Sequence, residues 1–310
     1  MGEVRLPLTS LFDGHVTEKA HAVQNCKGCT DAKGNLSLRV SCAVRRPVTI
    51  DKGGEMTLGS GVLAVGLGWD MLRGNTAIDL DTSCVALGFD GRVLMEESVY
   101  FAQLRSRSGA IHHTGDEKEG DEDLGQGDDE VVVVDTFRIP SNVCALYFIA
   151  TVASEGRSFA DVKSARMRLV DWQSGVEKCR YVPAMSGAHT ALFANRIARK
   201  GPKEPWVLSA IGQIDHTARD WGTLVPEIKL YSQDLIPNLK VDVNERVAIM
   251  RKGGLIRVRD YCPNGLPPML VMGLAWDVTN GVNIDLDASC ILLDEKLNQV
   301  HAQRCPARML

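Results

Sequence analysis

The sequence lacks any apolar run of about 18 residues, the length that a membrane-spanning helix needs. Its first residues, MGEVRLPLTSLF, lack the basic and then apolar layout of a secretory signal, so we expect a soluble, cytoplasmic chain without membrane insertion. The sequence also lacks a basic excess, because 35 Lys and Arg stand against 39 Asp and Glu and the net charge is -4. No global positive field attracts nucleic acid, so we expect no nucleic-acid partner.

Signatures of several common enzyme classes are missing as well. The glycine-containing run Gly61–Gly68 does not lead into a helix, so the dinucleotide-binding fingerprint is not met, and no GxSxG, HExxH or P-loop occurs. The nine cysteines are an odd number without the pairing of a small secreted scaffold, and we expect most of them to be reduced core thiols. Cys26 and Cys29 have zinc-knuckle spacing, but no second such pair follows, which favours incidental cysteines in a flexible tail.

One sequence unit occurs twice in the chain. The stretch Val65–Leu87 reads VGLGWDMLRGNTAIDLDTSCVAL, and the stretch Val271–Leu293 reads VMGLAWDVTNGVNIDLDASCILL. Both contain Trp-Asp, a short turn with Asn and Gly, Ile-Asp-Leu-Asp, Ser-Cys and an apolar tail. Such self-similarity indicates a structural repeat, so we predict two copies of one fold unit.

The two copies differ in length, and this sets the predicted domain boundaries. Copy one occupies residues 46–227, whereas copy two, residues 245–310, contains only about the first third of the unit. We predict that residues 1–45 are an N-terminal extension and that residues 228–244 are a linker. A length of 310 residues agrees with about two domains of roughly 150 residues each.

Short apolar runs between turn-forming residues indicate the fold class. Their length and their β-branched content favour strands over helices. The runs are Gly61–Gly68, Ile78–Phe89, Val131–Ile139, Ala145–Val152, Ala165–Val170 and Trp206–Ile211. Ser158–Ser164 favours a short helical turn, and Ala191–Ile211 favours a hairpin with a basic, solvated tip at Arg199. We predict a mainly β fold, a sandwich of two packed sheets with short helices, followed by an incomplete repeat of the same unit.

Negative charge is concentrated in one segment of the chain. Residues 116–130 read DEKEGDEDLGQGDDE, with nine acids and one lysine. Carboxylates this close repel one another by on the order of 1 kcal/mol per pair even in water. A hard cation such as Ca2+ would relieve this repulsion, since it takes about six to eight oxygen ligands. A solvated acidic loop is the other interpretation of the same segment.

A second acidic element begins a predicted strand. Asp79 and Asp81 are two residues apart, so on a strand both side chains point to one side and Leu80 points to the other. Asp is depleted in strands, so its presence there needs a reason. The two carboxylates either share a cation with those of Asp70 and Asp128–Glu130, or they cap turns by accepting backbone N–H bonds. The corresponding acids of copy two are Asp277, Asp285 and Asp287.

The order of these motifs resembles the TerD domain family of tellurium resistance and stress response. The motifs are Gly66-Leu-Gly-Trp-Asp, Asp79-Leu-Asp-Thr-Ser, His113-Thr-Gly-Asp, Gly127-Asp-Asp-Glu-Val and Met167-Arg-Leu-Val-Asp. The resemblance covers roughly residues 48–227 and restarts at Val247. It implies a β-sandwich that binds calcium through a defined set of acids. Carried over by motif, the metal ligands would be Asp70, Asp79, Asp81, Asp116, Asp128, Asp129 and Glu130.

Three functions remain open at this point. The resemblance implies a calcium-binding stress-response module without catalysis, which would bind an unidentified protein partner in its calcium-loaded state. The alternative is a divalent-metal-dependent hydrolase or transferase that uses the same carboxylates, with only His112 and His113 as candidate bases. The third is a structural repeat whose acids serve solubility alone. Copy two has no Gly-Asp-Asp-Glu motif, so we expect its half-site to bind metal weakly or not at all.

Overall fold

A computed structural model of the chain shows a mainly β architecture, as the apolar runs predict. It describes residues 17–25, 30–31, 33–40, 47–71, 78–115, 128–183, 187–215, 218–250, 256–262, 265, 269 and 291–299. The strands are β1 (Thr17–Ala22), β2 (Asn35–Val40), β3 (Val48–Thr49), β4 (Glu55–Thr57), β5 (Val62–Met71), β6 (Leu80–Gly88), β7 (Ile111–His113), β8 (Glu130–Asp135), β9 (Val143–Val152), β10 (Val162–Asp171), β11 (Glu177–Tyr181), β12 (Ala191–Ala198) and β13 (Val207–Asp215). One α-helix, α1, covers Val225–Leu230.

Two sheets form the body of the fold. The first has the strand order β3-β11-β10-β5-β8-β7, and the second has the order β4-β13-β12-β9-β6. Their pairings are antiparallel except for the parallel pair β11 and β3. Strands β1 and β2 make a separate antiparallel pair. The predicted sandwich of two packed sheets is confirmed.

The core lies between the two sheets and follows the two-residue period of the strands. On β5 the alternating residues Leu63, Val65, Leu67 and Trp69 are at most 1% exposed and belong to this core. Full burial of one large apolar side chain stabilises the fold by roughly 1.5–3 kcal/mol. The same period places the intervening residues of β5 on the outer face of the first sheet, which positions Asp70 there.

Strand β6 is the edge strand of the second sheet, and its outer edge is covered. Cys84 exchanges backbone hydrogen bonds with Val99 at 2.8 and 2.9 Å, and the N–H of Ala86 donates to the Ser98 hydroxyl at 3.0 Å. Every residue of β6 is buried. Covering an edge in this way removes a template for pairing with other chains.

The segment predicted as a linker, residues 228–244, instead packs on the outer face of the second sheet. Ile228 and Ser232 are fully buried, and the Ser232 hydroxyl lies 2.5 Å from the Tyr147 hydroxyl of β9. Arg196 of β12 binds both carboxylate oxygens of Asp234 at 2.7 and 2.8 Å. The predicted domain boundaries stay a prediction, but the contact shows that part of this segment is packed. Only a few apolar residues of the segment, mixed with polar ones, make the contact, so the sequence does not reveal it.

Arg199 is also placed differently from its prediction as part of a solvated tip. The hairpin of β12 and β13 is confirmed, but Arg199 is only 6% exposed. Its guanidinium donates to the carbonyl oxygens of Pro140, Val143 and Pro202 at 2.7–3.0 Å and lies 4.4 Å from the Trp206 ring centre. Arg199 therefore connects the chain around Pro140 and Val143 to the chain around Pro202 and Trp206.

The predicted short helical turn after Gly156 is a 3-10 turn at Phe159–Asp161. Ser158 caps it, because its hydroxyl accepts from the N–H of Ala160 while Asp161 accepts from the N–H of Ser158. This reciprocal arrangement satisfies two backbone donors that the turn itself leaves unbonded. Phe159 is thereby fixed in the core between the sheets.

The chain divides into two compact units, residues 1–257 and 258–310. In the second unit the structure describes a 3-10 turn at Val258–Tyr261 and the stretch 291–299, together with isolated residues. Asp277, Asp285 and Asp287 lie outside the described residues, so the half-site of copy two stays a prediction. No helix in the described part of the chain is long and apolar enough to cross a membrane.

Candidate functional site

Three strands carry acidic residues where they reach one end of the sandwich. Asp70 lies near the end of β5, and Glu130 begins β8, which runs antiparallel beside β5 with Glu130 opposite Leu67. Asp81 lies at the start of β6 in the other sheet. Asp70, Asp81 and Glu130 are 4%, 3% and 1% exposed, respectively. Burying a carboxylate costs folding free energy unless the group is paired or bound to a metal. The partners of each acid therefore determine how its burial is tolerated.

Glu130 joins the two sheets. Its Oε2 atom accepts a hydrogen bond from the backbone N–H of Thr82 in β6 at 2.5 Å. The Nε2 atom of His113, which is as deeply buried, lies 3.5 Å from the same oxygen. Glu130 therefore satisfies a donor on the edge of β6 and holds β8 at a fixed distance from β6.

Asp129 and Asp128 are anchored on opposite sides of the chain that leads into β8. The Oδ2 atom of Asp129 accepts from the backbone N–H of Trp69 at 2.7 Å. The Oδ1 atom of Asp128 accepts from Nε of Arg168 on β10 at 2.6 Å, and this bond raises the pKa of the Arg168 guanidinium. Each acid thus has one oxygen held by a donor of the first sheet.

Gly66 makes room for Asp128. An added Cβ at Gly66 would lie 2.1 Å from the Oδ2 atom of Asp128, well inside any allowed contact. The carboxylate consequently lies directly against the backbone of β5, a position that a side chain at residue 66 would fill. This close approach explains the first glycine of the Gly66-Leu-Gly-Trp-Asp motif.

Asp70 and Asp79 are also held by hydroxyl groups. The Ser164 hydroxyl donates to Oδ2 of Asp70 across the β5 and β10 pair. The backbone N–H of Asp79 donates to the Ser154 hydroxyl at 2.9 Å, and its carbonyl accepts from the N–H of Ala153 at 2.9 Å. Asp79 directly precedes β6, and these two bonds fix its backbone.

The acids lie on different faces of the strands, as their positions in the two-residue period require. Asp70 and Asp128 belong to the outer face of the first sheet, and Asp81 has the same parity as Val85, which faces outward on the second sheet. In the part of the chain that the structure describes, no three His, Cys, Asp or Glu side chains form a group that could hold a metal ion. Asp116 and the rest of residues 116–127 lie outside the described residues. The predicted ligand set thus stays a prediction.

The two candidate bases differ in their surroundings. The Nδ1 atom of His113 accepts from the backbone N–H of Gly115 at 3.2 Å, so the ring hydrogen is assigned to Nε2, which faces Glu130. His112 is half-buried, and its ring meets that of Trp172 edge to face at 6.5 Å between centres. Burial, and secondarily the charge of Arg105, lowers the pKa of His112. His113 is a structural partner of Glu130 rather than an accessible base.

Sequence reasoning missed the residues that orient these acids. Asp128 is held by Arg168, Asp70 by Ser164 and Glu130 by Thr82. None of these three donors was predicted to be part of the site. One signal was available, because β10 alternates apolar and polar residues and carries Arg168 on its polar side. The pairing register that places Arg168 opposite Gly66 is a long-range contact, which local sequence does not reveal.

Comparison with known proteins agrees with the motif order. The TerD domain profile matches residues 47–218 of the chain. Tellurium resistance protein TerZ of Serratia marcescens is 38% identical over 161 residues, which are 48% of this chain and 78% of that protein. Stress response protein SCP2 of Bacillus subtilis is 29% identical over 187 residues, which are 54% of this chain and 92% of that protein.

A crystal structure of a homologue of telluride resistance protein TerD from Streptomyces coelicolor is 17% identical to this chain. The match covers 55% of this chain and 98% of that one, with a TM-score of 0.44. The domain profile alone covers more than half of the residues in the chain. The chain belongs to the TerD domain family.

Proposed function

We propose that this chain is a calcium-binding module of a stress-response or tellurium-resistance system, and that it acts by binding a protein partner without catalysis. The relatives TerZ and SCP2 are named for tellurium resistance and for stress response, which supports the cellular role. The cytoplasmic location inferred from the sequence belongs to the same proposal.

One observation carries the calcium part of the proposal. Three acids, Asp70, Asp81 and Glu130, are each less than 5% exposed at the end of the sandwich where residues 116–130 enter β8. Removing carboxylates from water costs several kcal/mol per ion unless charge is compensated. A divalent cation bound beside any of these acids would add positive charge to the hydrogen bonds that hold Asp70 and Glu130.

The chemistry of the donor set fits calcium. The acids offer only oxygen atoms, which calcium prefers over nitrogen and sulfur, and calcium tolerates the irregular geometry of loops. Trp69 and Thr82 hold one oxygen each of Asp129 and Glu130, so these carboxylates are oriented in advance. The ligands would be Asp70, Asp79, Asp81, Asp116, Asp128, Asp129 and Glu130, with the described acids completed by the acidic segment before Asp128.

Calcium, when bound, would supply positive charge that the acidic end lacks. Residues 116–130 would then be held against β6, and the surface around Glu130 would take a single conformation. A partner that recognises this conformation would bind the loaded form better than the empty form. The shift can be no larger than the difference in the partner's affinity for the two forms.

The placement of His113 supports a role without catalysis. A metal-dependent hydrolase needs an open coordination position and a base that can reach the substrate. His113 is 4% exposed and accepts from the Gly115 N–H, so its basic nitrogen is occupied. The lowered pKa of His112 leaves a neutral ring, but that ring packs against Trp172.

Calorimetric titration with calcium tests this proposal, with magnesium as the competing ion. We expect saturable calcium binding by the wild-type chain and its loss in Asp79→Ala/Asp81→Ala. Asp51→Ala/Glu96→Ala removes the same charge from two exposed positions and should bind as the wild type does.

Thermal unfolding gives a second measure of the same binding. Calcium at about 100 times its Kd should stabilise the chain by about 2.7 kcal/mol, and a chelator should reverse the effect. Absence of calcium binding, with a melting temperature that the chelator leaves unchanged, would exclude the calcium proposal. Tighter binding of magnesium or manganese, together with turnover of an ester or phosphoester substrate, would favour the hydrolase.

A further inference from the structure

A pocket lies between the two sheets, among β3, β11, β12 and β13. Its volume is about 440 Å³, within the range of roughly 300–1,000 Å³ that small-molecule sites occupy. The residues that line it are Thr49, Ile50, Asp51, Lys52, Tyr181, Val182, Pro183, Leu192, Gly212 and Ile214. The pocket therefore shares no residue with the proposed calcium site.

Tyr181 crosses from the first sheet to the second and forms one wall of the pocket. It lies opposite Met167 in the β10 and β11 pair, and Met167 is fully buried in the core, so the Tyr181 ring points inward between the sheets. The hydroxyl lies against the backbone of Gly212 in the second sheet, since a Cβ added at Gly212 would be 2.2 Å from that oxygen. The ring thus closes one side of the pocket.

Gly212 allows this close approach through its position in a β-bulge. Two residues of β13, Ile211 and Gly212, oppose a single residue of β12 there, and Gly212 has a left-handed backbone with a φ of 61°. Because no side chain projects from Gly212, the Tyr181 hydroxyl and the Cγ atom of Lys52 both lie over it. The bulge therefore brings these two side chains to one place at the pocket.

Another side of the pocket is apolar. Leu192 and Ile214 lie directly opposite each other in β12 and β13, and Leu192 belongs to the core, so Ile214 faces the same interior. Ile214 is nevertheless 38% exposed, whereas Leu192 is 1% exposed. An inward-facing apolar side chain with this exposure borders an opening between the sheets.

Two hydrogen-bond donors converge on the pocket. Burial raises the pKa of Tyr181, so its hydroxyl keeps its hydrogen at neutral pH, and among the described residues nothing forms a hydrogen bond with that hydroxyl. Lys52 is exposed and makes no ion pair with an acid in the described part of the chain. Both groups can donate, and the ammonium group adds positive charge. The pair fits a negatively charged acceptor, and Asp51, the single acid in the lining, favours a ligand with one such charge.

We infer that this pocket binds a small monocarboxylate with an apolar body. The carboxylate would accept from the Tyr181 hydroxyl and the Lys52 ammonium group, and the apolar body would pack on Leu192 and Ile214. Apolar contact provides most of the contact area in such a site, while a few placed polar groups fix the orientation of the ligand. Gly212 contributes because a side chain there would fill the space beside both donors.

Calorimetric titration of the full chain with 4-phenylbutyrate tests this inference, with the uncharged 4-phenylbutyramide as the matched ligand. Both titrations are made in the presence of a chelator, so that calcium contributes nothing. We expect saturable binding of the acid and binding of the amide that is weaker by about fivefold or more, because the amide lacks the charge that Lys52 would contact. Lys52→Gln should weaken binding of the acid by a similar factor and leave the Kd of the amide unchanged.

Two further variants locate the site. Ile214→Asn should weaken binding of both ligands, because it places a polar group where the apolar body would pack. Lys240→Gln removes an exposed lysine outside the pocket and should bind both ligands as the wild type does, and circular dichroism checks that each variant is folded. Absence of saturable binding of the acid by the wild type, or equal binding of the acid by the wild type and Lys52→Gln, would overturn the inference. Unchanged binding by Ile214→Asn would place the ligand elsewhere and would also overturn it.

Discussion

The carboxylate of Glu130 in one sheet accepts the backbone N–H of Thr82 in the other, at 2.5 Å and away from solvent. This single bond links the strand that follows the acidic segment to the edge of the second sheet. It also makes Glu130 a structural residue whether or not a cation is bound. The structural role and the proposed ion-binding role of Glu130 can be separated by variants that remove its charge but keep its hydrogen-bond acceptor.

Replacement of Glu130 should distinguish these roles. Glu130→Ala leaves the Thr82 N–H buried without an acceptor, and we expect a loss of about 2 kcal/mol in unfolding free energy. Glu130→Gln keeps an acceptor oxygen and should cost less, while removing the charge that a cation would use. Urea denaturation in chelator measures the structural part for both variants, and Glu96→Ala at an exposed position is the control. Equal losses for Ala and Gln would show that the hydrogen bond contributes little.

Gly66→Ala should destabilise the chain by displacing Asp128. The added methyl group would meet the Asp128 carboxylate at 2.1 Å, and overpacking of this kind costs about 1–3 kcal/mol. In an Asp128→Ala background the clash is absent, so the same substitution should cost much less. Gly59→Ala, where nothing lies within 4 Å, is the matched control. Additive losses in the double variant would contradict the proposed contact.

Asp234→Ala should weaken the attachment of residues 225–250, which begin with α1, to the second sheet. Arg196 is 9% exposed and would lose the carboxylate that binds its guanidinium in a bidentate manner. We expect a loss of about 1 kcal/mol, because Asp234 itself is more than half exposed and solvent screens part of the pair. Asp242→Ala removes an exposed acid of the same segment and should have little effect. Limited proteolysis within residues 225–250 should accelerate only in the first variant.

The buried thiols should be unreactive in the folded chain. Burial raises the pKa of Cys144 to about 12 and that of Cys179 to about 11, so both stay protonated at pH 8. Iodoacetamide labelling followed by mass spectrometry should modify them only after unfolding. Among the cysteines that the structure describes, half-buried Cys262 should be modified first. Rapid labelling of Cys144 in the native chain would contradict its burial.

The same shifts predict a pH dependence of stability with a definite sign. The folded pKa of each thiol lies above the unfolded value of about 8.5. The stability that these thiols contribute is therefore present below that value and is lost as the pH rises toward 11 and 12. Urea midpoints measured from pH 8 to pH 11 should fall less steeply in Cys144→Ala/Cys179→Ala than in the wild type.

Sequence reasoning succeeded where the signal is local. The length and composition of runs such as Ala145–Val152 predict strands, because buried strands need short stretches of β-branched and apolar residues. The ordered motifs around Asp70, Asp79 and Asp128 indicate the family that the domain profile confirms. These signals do not depend on knowing which strands pair.

It failed where a contact depends on tertiary register. The linker prediction for residues 228–244 missed the burial of Ser232, because a buried hydroxyl has no apolar pattern and its partner, Tyr147, is far away in sequence. Arg199 resembles a solvated tip until the carbonyl groups of Pro140 and Val143 are brought beside it. The sequence indicates carboxylates at three strand ends, but the faces of the sheets on which Asp70, Asp81 and Asp128 lie follow from pairing that local sequence does not fix.

Trp69 gives this end of the molecule an optical signal of its own. Its indole is 1% exposed, its ring N–H donates to Ile78 O at 3.3 Å, and its backbone N–H is held by Asp129. A change in the carboxylates beside it will alter the polarity around a buried fluorophore that adjoins the chain leading into β6. Because the chain has five tryptophans, the difference in emission between the wild type and Trp69→Phe isolates this signal and can report on the acidic end without any attached label.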